Sequence, residues 1–317
     1  MERPILSARG AAGYLEALDN VLLLTHVRPD GDTIGSAAAL CRALRDCGQT
    51  AYLLPNPEIT ATYAPYAAPY WAPEGWQAEH IVSVDIADAS LLPENAQSYR
   101  DRIELAIDHH PSQTFFARNT CLEADSAACG EIVYEIIQHL TALTADIALP
   151  LYVAVSTDCG GFQYGNTTAR THRIAAALMD VVDVAAVNKT LFRTKSRVRL
   201  AMESRMVADM KLFDHQRVVV MEIPQSLRQE MQATDADIEE LSALPALVEG
   251  TDCGVTLREL RPGVIKISLR TGPRVDASAV CQRLGGGGHR AAAGATVDGT
   301  MDEVRQAVLQ AYQAVVG

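Results

Sequence analysis

A chain of 317 residues is long enough for two domains, each with its own core. Apolar residues at 48% and charged residues at 21% exclude a disordered or collagen-like polymer. With 27 Lys and Arg against 39 Asp and Glu, the net charge of -12 excludes long-range attraction to nucleic acid or to an anionic membrane, so a polyanionic ligand must be held by a local basic patch or by metal ions.

The seven cysteines (Cys41, Cys47, Cys121, Cys129, Cys159, Cys253 and Cys281) are odd in number and contain no C-x-x-C pair. They indicate neither a disulfide framework nor a cysteine zinc site, and the expected location is the cytoplasm. The opening MERPILSARG lacks a secretory pattern, and no run reaches the roughly 20 apolar residues of a membrane span.

In chain order, VLLLT at 21–25 meets the polar HVRPDGDT and then TIGSAAALCRALRDCG, which reads as strand, loop and helix, with Gly48 closing the helix. The rhythm continues through AYLL at 51–54, IVSVD at 81–85 and IELAID at 103–108, each a short apolar run followed by loop chemistry. This predicts an α/β chain whose N-terminal half is a mostly parallel, doubly wound sheet with ligands at the carboxyl ends of its strands. Residues 55–76 hold five prolines, three tyrosines and both tryptophans, which predicts a packed irregular excursion whose aromatics cover the sheet edge.

From about 128 the pattern turns helical in CGEIVYEIIQHLTAL, DIALPLYVAVSTD and TARTHRIAAALMD, and Pro150 is expected to kink or shorten the second of these. The basic stretch 189–205 reads as a solvated helical connector. RVVVMEI at 217–223, CGVTLREL at 253–260 and VIKISLR at 264–270 read as strands, and DEVRQAVLQAYQAVV as a closing helix, so the second half is a smaller α+β domain. The expected layout is a first domain at 1–185, a connector at 186–212 and a second domain at 213–317.

Four polar clusters follow the strands of the first half: His26, Asp30 and Asp32 in THVRPDGDTIGS, Asp85 in SVDIAD, Asp108, His109 and His110 in IDHHPS, and Asp158 in STDCGGF. Singly each has a structural reading, such as Asp32 capping the next helix or Asp30-Gly31-Asp32 forming a turn. Jointly they fall where an α/β sheet exposes its ligand-binding edge. Carboxylates with a minority of imidazoles and no thiolate suit Mn²⁺ or Mg²⁺ better than a structural zinc. An EF-hand starting at Asp30 would put Cys41 where the bidentate Glu must sit, and neither a G-x-S-x-G elbow nor a phosphate loop is present. Asp30, Asp32, Asp85 and Asp158 bring four negative charges, which two divalent cations would cancel. Such a pair, about 3.5–4 Å apart, activates a bridging water, clamps a phosphoryl group and needs a shared carboxylate.

In the second half, GGGGHRAAAGA at 285–295 lets the backbone of Gly286, Gly287 and Gly288 approach a phosphate, with His289 as a further donor, or else forms a tight turn without a ligand. Residues 254–294 carry seven Lys and Arg against two acids, a local basic patch inside an acidic chain.

These motifs, in this order and spacing, resemble the DHH phosphoesterase family, named for the Asp108-His109-His110 triplet, and within it the stand-alone nanoRNase and pAp-phosphatase branch. The glycine run resembles the signature of the DHH-associated second domain, and the likeness spans roughly residues 20–296. The resemblance implies a catalytic first domain with two divalent ions, Mn²⁺ foremost. It implies that His26, Asp30 and Asp85 hold one ion, that Asp32, Asp85, His109 and Asp158 hold the other, and that Asp85 bridges them. By the same resemblance, His110 faces the substrate phosphate or leaving oxygen, Asp108 orients a histidine, and Arg270 and His289 with Gly286, Gly287 and Gly288 grip the far phosphate or base.

The implied activity is degradation of RNA fragments of a few nucleotides to 5′-mononucleotides, with dephosphorylation of pAp or cleavage of pApA. The implied partners are short oligonucleotides, pAp and linear or cyclic dinucleotides, with no long nucleic acid and no membrane, a homodimer being left open. Two alternatives stand beside this: cleavage of a cyclic dinucleotide as the main role, and a catalytically silent nucleotide-binding regulator. The chain departs from the family at Thr271, often Ser, and at Gln163, often Arg, and the second departure removes a phosphate contact.

Overall fold

Leucine, isoleucine and valine at consecutive positions give the apolar runs two buried faces, which is what a strand inside an α/β layer requires. The computed structural model describes residues 4–317, the side chains of Glu239 and Glu240 aside. Five strands make one parallel sheet: β1 (Val21–Leu24), β2 (Ala51–Leu53), β3 (His80–Val84), β4 (Ile103–Asp108) and β5 (Asn119–Leu122), in the order β2-β1-β3-β4-β5. Strand β5 has no forerunner in the sequence reading, because NTCL carries no apolar alternation. The order reverses direction at β1, so a crevice opens between the carboxyl ends of β1 and β3.

Val21, Leu23, Val82, Val84, Leu105 and Ile107 face a core shared with helices α1 (Ala8–Glu16), α2 (Gly31–Asp46), α4 (Cys129–Leu140), α5 (Ala145–Asp158) and α6 (Ala169–Met179). Leu22, Leu24, Ile81 and Ala106 face the other way, under the 3-10 turns Ala89–Leu91 and Glu94–Arg102. The proline-rich excursion holds only the single turn α3 (Ala64–Ala67) and a 3-10 turn at Ala68–Tyr70. It covers the β2 edge as expected: Trp71 bridges to Leu53, and the Trp76 ring meets Tyr52 edge-on at 4.9 Å.

Pro150 does not shorten its helix, since α5 runs unbroken from Ala145 to Asp158. Lying in the second turn, it removes only the one helical bond that residue 150 would donate to the Asp146 carbonyl, at the helix start.

The chain divides into two compact units between Thr194 and Lys195, within the stretch read as a connector. On the first side lie α7 (Ala185–Asn188) and a π turn at Lys189–Arg193. On the second, α8 (Arg197–Ala208) buries Met202 and Met206 against Val219 and Met221, so this helix belongs to the core of the second unit and is not a free connector.

The second unit is a six-stranded sheet in the order β10-β11-β9-β8-β7-β6. Its strands are β6 (Lys211–Phe213), β7 (Val218–Ile223), β8 (Cys253–Arg261), β9 (Val264–Thr271), β10 (Gly287–Gly288) and β11 (Ala292–Asp298), all antiparallel neighbours except β7 and β8. Val255, Leu257, Ile265, Ile267 and Leu269 pack under α11 (Ala277–Gln282) and α12 (Met301–Val316). The opposite face is apolar over β7, where α8 and the short helices α9 (Gln225–Glu230) and α10 (Asp235–Ile238) cover it.

Candidate metal centre

Three of the four clusters leave the carboxyl ends of adjacent strands: His26, Asp30 and Asp32 after β1, Asp85 after β3, and the Asp108-His109-His110 triplet at the end of β4. The fourth corrects the expectation that all follow strands. Asp158 is the last residue of helix α5, and packing rather than sheet order brings it in. A Cβ on Gly35 would lie 2.2 Å from the Pro150 carbonyl, and one on Gly31 would lie 2.3 Å from the Thr157 hydroxyl. The absence of those side chains lets α2 and α5 pack in opposite directions at close range, which sets the start of α2 against the end of α5.

Asp30 caps α2, its Oδ1 accepting from the N–H groups of Asp32 (3.0 Å) and Thr33 (3.2 Å). Asp32, which the sequence suggested as the cap, is instead buried: Oδ1 accepts from Ser36 Oγ and Gly130 N, and Oδ2 from Cys129 N. Its carboxyl is pushed well above the usual range by burial and then by the neighbouring Asp85, Asp158 and Asp30. Asp158 is raised to about 6, by partial burial and by Asp85 and Asp30 against the pull of His109 and His110.

Asp85 sits at φ +61°, a left-handed conformation rare outside glycine and asparagine, held by its N–H on the Ile107 carbonyl at 2.8 Å. Its two oxygens face different partners. Oδ2 lies 3.7 Å from His26 Nε2, which is also 3.6 Å from Asp30 Oδ1. Oδ1 lies 3.6 Å from His109 Nε2, which is also 3.7 Å from Asp32 Oδ2 and 3.6 Å from Asp158 Oδ2.

The geometry of these donors fits divalent cations. A cation about 2.0–2.2 Å from each donor holds neighbouring donors about 3.0–3.6 Å apart. Both histidines turn Nδ1 to a carbonyl, His26 to Val27 O at 2.7 Å and His109 to Ser126 O at 3.0 Å, which leaves each Nε2 facing carboxylates. Asp85 Oδ1 is buried and makes no hydrogen bond, a costly state for a carboxylate oxygen unless a cation meets it. Without one, the acids recruit protons: although burial disfavours the charged imidazole, Asp30 and Asp85 raise His26 to about 10.

Asp108 plays a different part. Fully buried, it accepts at Oδ1 from the N–H groups of His109 and His110 and from His110 Nδ1 at 2.8 Å, and at Oδ2 from Gln113 Nε2 at 2.6 Å. With those donors in place it fixes the His110 ring. The hydrogen bond that Asp108 accepts raises His110 to about 9, with burial opposing.

Sequence reasoning missed the support around these groups. The turn Ser126–Gly130 gives Asp32 two N–H donors and His109 its carbonyl. Asn166 ties the Ala127 and Asp158 carbonyls together, and buried Glu131 takes the Thr171 hydroxyl at 2.5 Å. The small-residue run SAACG ahead of a helix was a readable signal for such an anion seat.

Arg270, Gly286, Gly287, Gly288 and His289 lie in the second unit. Arg270 pairs in register with Ala292, and its Nη1 donates to the Leu269 carbonyl. The glycine run has a packing reason of its own, since a Cβ on Gly286 would fall 2.1 Å from the Gly294 carbonyl. Gly287 is open, and the exposed His289 heads a tight turn, its N–H on the Ala292 carbonyl at 2.8 Å.

A parallel sheet that gathers acids and imidazoles at its strand ends, followed by a mixed-sheet unit, matches known proteins over most of the chain. Residues 20–155 match the N-terminal domain of the DHH family and residues 229–317 match the DHHA1 domain; the chain belongs to the DHH family. It is similar to the bifunctional oligoribonuclease and PAP phosphatase NrnA of Thermus thermophilus, at 31% identity over 96% of this chain and 93% of that protein. The protein of the same name from Bacillus subtilis is 23% identical over 88% of this chain and 90% of its own length. Among solved structures, an exopolyphosphatase-related protein from Bacteroides fragilis shares the fold, with a TM-score of 0.87 at 22% identity over 97% of this chain and 95% of that one.

Proposed function

We propose that the protein is a two-metal phosphoesterase that degrades very short RNA oligonucleotides to 5′-mononucleotides and dephosphorylates pAp or cleaves pApA, with Mn²⁺ as its ion. The observation that carries this is the buried, hydrogen-bond-free Oδ1 of Asp85, whose carboxylate divides its oxygens between two histidine-centred sets of donors. The two relatives above, named as oligoribonuclease and PAP phosphatase, supply the substrate class.

In this reading His26, Asp30 and Asp85 hold one ion, and Asp32, Asp85, His109 and Asp158 the other. The ions supply neutralisation of the phosphoryl charge and activation of water. The chain's own residues do the rest. Asp108 keeps Nδ1 of His110 engaged, which leaves Nε2 to bind the phosphate or to give a proton to the leaving oxygen. Arg270 and His289, with the backbone of Gly286, Gly287 and Gly288, hold the substrate's other phosphate or base. The seven unpaired cysteines support a reducing, cytoplasmic setting, and among the described residues no helix is long and apolar enough to cross a membrane.

The test is one panel: purified protein with Mn²⁺, Mg²⁺ or chelator, against RNA 2- to 20-mers, pAp, pApA and cyclic dinucleotides. Turnover of pAp and of dimers to pentamers, abolished by chelator and faster than that of a 20-mer, is expected. Preferential cleavage of cyclic dinucleotides, equal rates on the 20-mer, or no turnover with metal each overturns the reading.

A further inference from the structure

On the face of the second sheet turned away from α11 and α12, strands β8 and β9 are polar where β7 is apolar. Register sets Gly254 beside Arg270, Thr256 beside Ser268 and Arg258 beside Lys266. Arg270, Ser268 and Lys266 therefore rise from one face, alternating with the core residues Leu269, Ile267 and Ile265. Together with Thr256 and Arg258 they line a hollow of about 220 Å³. The side chains of Lys266 and Ser268 make no hydrogen bond or ion pair among the described residues. Arg258 is tied to Asp235, yet its Nε is buried without a partner.

The Thr256 hydroxyl is spent on the Ser242 carbonyl, but the Lys266 ammonium, the Ser268 hydroxyl and Nε of Arg258 left without partners around a hollow suit an anion, and the spacing of the row says which kind. Side chains on one face of a strand recur about every 6.7 Å. Three backbone bonds of a chain span about 3.5 Å, so the six bonds between successive phosphorus atoms of an extended nucleotide strand span about 7 Å. The two repeats match over the two steps from Arg270 through Ser268 to Lys266, about 13 Å in all.

We infer that this face is a phosphate ladder, on which Arg270, Ser268 and Lys266, the last backed by Arg258, take three successive phosphates of an oligonucleotide. The inference rests on the reading above in that Arg270 holds a substrate phosphate, and it deepens that reading by making Lys266 a determinant of chain length. Dinucleotides and pAp are too short to reach Lys266 and a trimer ends at Ser268, whereas a 5′-phosphorylated tetramer, with four phosphates, reaches it.

Two measurements on the full chain test this. With Mn²⁺, the ratio of kcat/KM for 5′-phosphorylated tetra-adenylate over 5′-phosphorylated di-adenylate should fall about tenfold in Lys266→Ala, as expected for one lost charge-assisted phosphate contact, and recover in Lys266→Arg. In chelator, fluorescence anisotropy should show labelled tetra-adenylate binding more tightly than di-adenylate, and Lys266→Ala should erase the difference. An unchanged ratio, or equal losses on both lengths, overturns the ladder. A wild-type protein that binds tetra-adenylate with this length dependence but turns over nothing would instead overturn the proposed activity while leaving the ladder standing.

Discussion

Asp85→Asn separates a shared ligand from a private one. The backbone there is left-handed at φ +61°, which Asn tolerates as well as Asp, and Oδ1 has no hydrogen bond to lose, so the metal-free fold should melt near the wild-type temperature. An ion at about 100 times its dissociation constant stabilises the fold by about 2.7 kcal/mol, and two ions by about 5 kcal/mol. For a unit of this size, about 2–4 °C accompany each kcal/mol, so saturating Mn²⁺ should raise the wild-type melting temperature by about 10–20 °C. Asp158 faces only the His109 set, at 3.6 Å, and Asp158→Asn should keep about half of that shift. Asp85 contributes one oxygen to each set, so Asp85→Asn should lose nearly all of it, and turnover with it by at least about a thousandfold. The assay is differential scanning fluorimetry with and without Mn²⁺, paired with pAp hydrolysis. A metal-dependent shift in Asp85→Asn as large as that in Asp158→Asn would refute the shared carboxylate.

His110→Ala should show the opposite signature, keeping the full metal-dependent shift while kcat falls about 10²- to 10⁴-fold; metal loss equal to that of His109→Ala would mean that the two roles are exchanged. Gly35→Ala places a Cβ 2.2 Å from the Pro150 carbonyl, backbone that cannot swing aside, so urea melts should show a loss of about 3 kcal/mol and metal titration a weaker site at Asp158. Metal affinity should rise with pH. The ions must displace the proton that His26 holds up to about 10 and, in acid, the one that Asp158 holds up to about 6, so binding should be tighter at pH 8 than at pH 6 and should release protons into a weakly buffered solution. Affinity independent of pH would contradict those ligand assignments.

What the sequence alone determined was local or periodic. Short continuous apolar runs marked β1 to β4 and β7, because a strand buried on both faces must be apolar throughout, and alternation marked β8 and β9, which bury one face. The polar residues directly after three of those runs marked three corners of the candidate metal centre, because in a parallel sheet the carboxyl ends all lie on one edge. Tertiary structure decided the remainder. Asp158 joins the others through the close packing of α2 on α5, a contact between glycines and backbone that leaves no pattern along the chain. The exchange of roles between Asp30 and Asp32 depends on N–H groups of Cys129 and Gly130, nearly a hundred residues away, which draw Asp32 into the interior and leave the cap to Asp30. Strands β5, β6, β10 and β11 escaped notice because NTCL, KLF and the glycine- and alanine-rich segments gain their strand character only from the neighbours that pair with them. The alternation in VIKISLR was visible as a strand, but only its pairing with β8 set Arg258 beside Lys266 and made a row of polar side chains into a surface with a phosphate's repeat.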